Sequence, residues 1–149
     1  MPRDDLLKGR VSLSQQIYFI TSVTQQRTPY FADFHCARLV IKEMKRLHEE
    51  DYVQSLAFVI MPDHIHWLLT LQDKDTLSNT IKLLKGRSAQ RIKQYLHLPT
   101  PVWQKAFYDH ALRKEEDLVQ IARYIVANPL RAQLVTRVAD YPLWDAIWL

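Results

Sequence analysis

Residues 55–71 read SLAFVIMPDHIHWLLTL, and this stretch decides the fold. Ser55 to Met61 is almost wholly apolar, with the β-branched and aromatic content of a strand covered on both faces. Pro62-Asp63 supplies a tight turn, and His64 to Leu71 returns as a second strand. Two strands joined by so short a link pair antiparallel. The hairpin therefore needs packing partners on both sides.

Those partners lie outward along the chain. Upstream, Gln16 to Thr24 is a strand by residue type. Pro29 breaks the chain, and Asp33 caps a helix through about Glu50, with Ala37, Val40, Ile41, Met44 and Leu47 at helical spacing. Downstream, Asp75 or Thr76 caps a long helix to about Tyr95, with Leu77, Ile81, Leu84 and Ile92 on one side. Val102 to Arg113 reads as a fourth strand. Glu115-Glu116-Asp117 opens a last helix, where acids suit the positive end of the dipole. Its apolar stripe is Leu118, Ile121, Ala122, Ile125 and Val126, and Pro129 is expected to stop it. The order β-α-β-β-α-β plus one helix predicts an α+β, ferredoxin-like antiparallel sheet with two helices on one face. The additional C-terminal helix is the candidate cover for the other.

Composition narrows the class. The 149 residues suit one domain, 1–149, with a basic N-terminal segment to about residue 14 and an aromatic tail from about residue 136. That tail carries Tyr141, Trp144 and Trp148 and is expected to pack back onto the body. Cys36 is the single cysteine, which excludes an internal disulfide and fits a small core residue. Glycine occurs only at Gly9 and Gly86, so phosphate-cradling Gly-rich loops are absent. No apolar run is long enough to span a bilayer, and the N-terminus lacks a signal peptide's apolar core, so the cytoplasm is expected. Net charge is +4, and its distribution is uneven. Between Thr76 and Tyr108 no acid occurs, while Lys82, Lys85, Arg87, Arg91, Lys93 and Lys105 all do. Such a segment is either a phosphate-tracking surface or a solvated helix face.

His64 and His66 are two apart on a strand and leave the same face, while Ile65, Trp67, Leu69 and Leu71 leave the other. Two imidazoles among apolar neighbours need partners. A divalent metal would satisfy both; a half-wet sheet face would also accommodate them. Tyr124 and Asn128 lie four apart on the last helix, on one side of it. Asn128 offers an oxygen suited to Mg²⁺ or Mn²⁺. Tyr124 then stands one turn away, either as a nucleophile or as a boundary residue with a wet hydroxyl. An ordinary phenol is ionised about one part in a thousand at neutral pH, so a nucleophilic tyrosine needs a neighbouring cation.

These residues form two motifs, Met61-Pro62-Asp63-His64-Ile65-His66-Trp67 and Tyr124-Ile125-Val126-Ala127-Asn128-Pro129-Leu130-Arg131-Ala132. With Gly9-Arg10, Tyr-Phe-Ile-Thr at 18–21, Trp103-Gln104, Asp109-His110-Ala111-Leu112-Arg113 and Tyr141-Pro142, the chain resembles the REP-associated tyrosine transposases. These are relatives of the single-tyrosine insertion-sequence transposases within the HUH endonuclease superfamily. The resemblance implies a metal-dependent nickase and strand-transferase acting on single-stranded DNA at REP-type hairpins. It makes His64 and His66 metal ligands and Tyr124 the nucleophile of a 5′-phosphotyrosine intermediate. Asn128 matches a third-ligand position that is Gln in many insertion-sequence relatives, and Gln133 stands where the family usually has Gly. The implied cofactor is Mg²⁺ or Mn²⁺. The resemblance favours a monomer, whereas insertion-sequence relatives act as dimers. It implies a bacterial cytoplasmic protein, nucleoid-associated when bound to DNA.

Lys82, Lys85, Arg87, Arg91, Arg113 and Arg131, with Arg3, Lys8 and Arg10, are the candidate DNA contacts. Trp103 is either a base-stacking residue or a core indole. Three rival functions stay open: a catalytically silent nucleic-acid-binding regulator, a metal-dependent hydrolase using His64, His66, His110 and water, and a structural ferredoxin-like module.

Overall fold

The computed structural model describes residues 15–113 and 115–146, without the side chains of 115–117. Arg3, Lys8, Arg10 and Trp148 lie outside the described residues, as do the acidic side chains opening the last helix. The elements are β1 (Ile17–Val23), α1 (Phe34–Glu49), β2 (Val53–Met61), β3 (His64–Leu71), α2 (Leu77–Leu96), β4 (Tyr108–Ala111), α3 (Glu115–Val126), α4 (Asn128–Arg131) and β5 (Trp144–Ala146). The strands form an antiparallel sheet in the order β4-β1-β3-β2-β5.

Both long helices start where the sequence places caps. Asp33 accepts from the backbone of His35 and Cys36, and Thr76 accepts from Asn79. One sheet face, with Tyr18, Ile20, Ile60, Ile65, Trp67, Leu69 and Leu71, packs on Val40, Met44, Leu47, Ile81 and Leu84 of α1 and α2. The other, with Leu56, Val59, Met61 and Leu68, packs on Leu118, Ala122, Ile125 and Val126 of α3. A bulge between Ser55 and Ala57 turns Leu56 and Ala57 together onto the α3 side. The last helix is thus the second cover that the doubly apolar hairpin requires.

Two expectations need correction. The strand expected over Val102 to Arg113 is confined to Tyr108–Ala111, with Trp103 making only a single bridge to Thr24. Between them the carbonyls of Gln104, Lys105 and Ala106 turn to the ammonium of Lys85, at 2.9, 3.3 and 2.8 Å. Pro129 does not end the helical path. The break falls at Ala127, and Pro129 sits in the first turn of α4, where its missing N–H costs nothing. The tail also contributes a strand, β5, paired with Ala57, Phe58 and Val59. It is anchored by Tyr141, whose hydroxyl donates to the Ile60 carbonyl. Among the described residues no helix is long and apolar enough to cross a membrane.

Candidate functional site

The alternation of β3 sends His64 and His66 to the α3 side of the sheet, with ring centroids 4.8 Å apart. Each ring is held through Nδ1. Asp63, in the hairpin turn, lies 2.7 Å from His64 Nδ1, and its other oxygen accepts from Arg27 at 3.1 Å. Because a carboxylate only accepts, His64 carries its proton on Nδ1 and leaves the Nε2 lone pair free for a ligand. Burial works against the Asp63 charge, but the hydrogen bonds and charges of His64 and Arg27 hold its pKa below the ordinary value. Arg27 reaches Asp63 from a short turn in which Gln26 and Arg27 both have positive φ.

His66 stands opposite Thr21 in the β1–β3 ladder, with Nδ1 2.8 Å from the threonine hydroxyl. Burial pushes its pKa down to about 4, helped by the charges of His64 and Arg131. The ring is therefore neutral at pH 7, the state in which imidazole binds metal.

Tyr124 projects from α3 towards this pair and is 51% exposed. Its ring lies edge-on to His66 at 6.5 Å and to Phe19 at 6.4 Å. Arg131 returns from α4 so that its guanidinium carbon sits 3.8 Å from the centre of the Tyr124 ring. The same guanidinium donates to the Tyr124 carbonyl at 2.7 Å. Asn128 opens α4 half-buried, one turn beyond Tyr124. Two imidazoles with fixed rings on one sheet face are donors suited to a divalent cation. Among the described residues no three His, Cys, Asp or Glu side chains gather into a metal site. The three-histidine arrangement with His110 is therefore not formed; His110 lies exposed on β4, opposite Phe19.

The expected DNA contacts divide sharply. Arg131 joins the site, and Arg113 is exposed just beyond β4. The basic stretch of α2 lies across the sheet from the histidines, in the layer with α1. There Arg87 pairs with Glu50 at 2.8 Å, and Arg91 pairs at 3.3 Å with the fully buried Glu43, which also takes Arg46 at 2.6 Å. Lys85 is committed to the 104–106 carbonyls, and Lys82 remains exposed. Three of the four α2 residues expected to contact DNA thus join helices and loops. Trp103 is 6% exposed, packs on Phe31 and donates to Ser88 at 3.0 Å, so it is a core indole with no face for a base. Cys36 is buried, and desolvation followed by the Asp33 charge raises its thiol to about 11, an inert core residue.

Sequence reasoning assigned no part in the site to Thr21, Asp63 or Arg27. Thr21 and Asp63 fall inside the motifs quoted above; Arg27 carries no local signal, because its partner is 36 residues away.

Comparison with known proteins follows this geometry. The model of the family described as "Transposase IS200 like" matches residues 12–128. A Haemophilus influenzae protein bearing the name REP-associated tyrosine transposase is 29% identical over 94% of this chain and 81% of its own length. The REP-associated tyrosine transposase of Escherichia coli is 32% identical over 58% of this chain and 50% of its own. A solved REP-associated tyrosine transposase bound to a REP hairpin superposes with a TM-score of 0.75 at 22% identity, covering 91% of this chain and 79% of that one.

Proposed function

The chain belongs to the IS200-like transposases, enzymes that cut and rejoin DNA, and on that premise we propose that it nicks and transfers single-stranded DNA beside REP-type hairpins through Tyr124. The observation carrying this reading is the approach of the Tyr124 ring to His66, on the sheet face that also bears His64. The REP association in the curated relatives' names and the REP hairpin bound by the superposed structure support the hairpin.

His64, His66 and Asn128 would hold the metal. When bound, a Mg²⁺ or Mn²⁺ ion supplies Lewis-acid polarisation of the phosphate and stabilises developing charge. The chain's own residues do the rest. Asp63 and Thr21 fix the two imidazoles. Arg131 lays its guanidinium on the Tyr124 ring and presents donors beside it. Tyr124 Oη attacks phosphorus, the P–O3′ bond breaks, the phenol proton passes to solvent, and the 3′ oxygen leaves as a hydroxyl. The product is a 5′-phosphotyrosine, which conserves the bond. A 3′-hydroxyl then attacks that phosphorus, rejoins the strand and releases the phenol. Because one chain contributes Tyr124 and both histidines, the reading favours a monomer, acting in the cytoplasm on the nucleoid.

The test is a denaturing gel with 5′- and 3′-labelled REP hairpins in Mg²⁺ or Mn²⁺. Wild type should nick and carry the 3′-side fragment as an adduct; Tyr124→Phe should bind without adduct, and His64→Ala should not cut. Cleavage that survives Tyr124→Phe would refute the tyrosine mechanism. Binding without any cleavage by wild type would mean a regulator instead.

A further inference from the structure

The face carrying the histidines is unevenly covered. α3 packs on β2, β3 and β5, while all four residues of β4, at the opposite edge, are exposed. Residues directly opposite in an antiparallel ladder share a face. Tyr108 stands opposite Thr21, and Thr21 stands opposite His66, whose ring it holds. These three side chains form one row across the sheet, placing Tyr108 roughly 10 Å from His66 by two strand spacings. His110, opposite Phe19, is the next residue of β4 on the same face. At 67%, Tyr108 is the most exposed large hydrophobic side chain among the described residues.

One exposed tyrosine is unremarkable in itself. Its position is not: this aromatic ring lies in line with the reacting residues, on the half of the face that α3 leaves open. A cation adjoins the row: Arg131 lies over Tyr124. The acid within β4, Asp109, stands opposite Ile20, which packs on the α1/α2 face, so it belongs to the other side. Aromatic rings on an open sheet beside a cation suit unpaired nucleotides, since every base has a face to stack and every phosphate a charge to meet. Along the strand Tyr108 and His110 are about 6.8 Å apart, twice the 3.4 Å rise of stacked bases. Each ring would therefore take a separate base of an unstacked strand.

We propose that Tyr108 and His110 form a stacking ledge for the unpaired nucleotides flanking the scissile phosphate. The inference rests on the nickase reading, which fixes where the phosphate lies. It also assigns to β4 a substrate role separate from metal binding.

The experiment uses the full chain with a chelator present, so that binding is read without cleavage. A REP hairpin with 2-aminopurine in its unpaired flank is compared with the same hairpin lacking the flank, for wild type, Tyr108→Phe and Tyr108→Ala. Stacking predicts 2-aminopurine quenching by wild type and Tyr108→Phe, and about tenfold weaker flanked-DNA binding by Tyr108→Ala. The flank-free hairpin should bind all three proteins equally. Equal affinity and quenching for Tyr108→Ala and wild type would overturn the ledge. So would an equal loss on both DNAs, which marks a general defect rather than a flank contact. Adding Mn²⁺ separates the two readings. Cutting through Tyr124 with no Tyr108 effect leaves the nickase and removes the ledge; Tyr108-dependent quenching with no cutting does the reverse.

Discussion

Acidifying the metal-free protein should destabilise it through His66. Burial holds this imidazole at a pKa of about 4, while in the unfolded chain it titrates near the ordinary 6.5. Between those values the unfolded chain binds a proton that the folded chain refuses. The stabilising contribution is therefore complete above pH 6.5 and is lost as pH falls towards 4. From pH 7.5 to pH 5 the loss from this one group is about 2 kcal/mol. With a urea dependence of roughly 1–3 kcal/mol per molar, the midpoint should fall by about 1 M. Asp63 does not confuse the window: its depressed pKa affects stability only below the ordinary carboxylate range. Urea denaturation at pH 7.5, 6.5, 5.5 and 5, with a chelator present, should be run on wild type and His66→Asn. The other five histidines are common to both proteins and cancel in the difference. If His66→Asn loses stability with pH as steeply as wild type, His66 is not held neutral by desolvation.

Three further outcomes follow from the geometry. Asp63→Ala removes the acceptor that fixes His64, so Mn²⁺ affinity, read by electron paramagnetic resonance of the free ion, should weaken about 10–100-fold. The fold should survive, since the Arg27 bridge it also removes is exposed and worth about 0–1 kcal/mol. Trp103→Phe keeps the buried ring but leaves Ser88 without its indole donor, so thermal or urea unfolding should register a loss of about 1 kcal/mol with unchanged hairpin affinity. A selective loss of affinity would restore Trp103 as a DNA contact. Arg91→Gln leaves the buried Glu43 with one guanidinium instead of two and should cost stability on the order of 1–3 kcal/mol. The salt dependence of DNA binding should be unchanged in that variant; a slope reduced by about one would mean that Arg91 meets a phosphate.

The sequence alone determined what depends on neighbours along the chain. Strand alternation put His64 and His66 on one face, and Asp33 and Thr76 marked the helix starts. The doubly apolar hairpin required a cover for each face, and α3 supplies the second. Tertiary structure decided what depends on residues far apart in the chain. A run of cations free of acids looks the same whether it faces phosphate or protein; only the packing of α2 on α1 shows Arg87 and Arg91 opposite Glu50 and Glu43. Trp103 suits a stack or a core equally by composition, until Ser88 and Phe31 close around it. The same holds at the site. Register placed Thr21 against His66 and Tyr108 against Thr21, and the return of α4 laid Arg131 on Tyr124. Local periodicity assigns a residue its face, but its partner across that face is set by strand order and register, which are long-range choices that no short window of sequence contains.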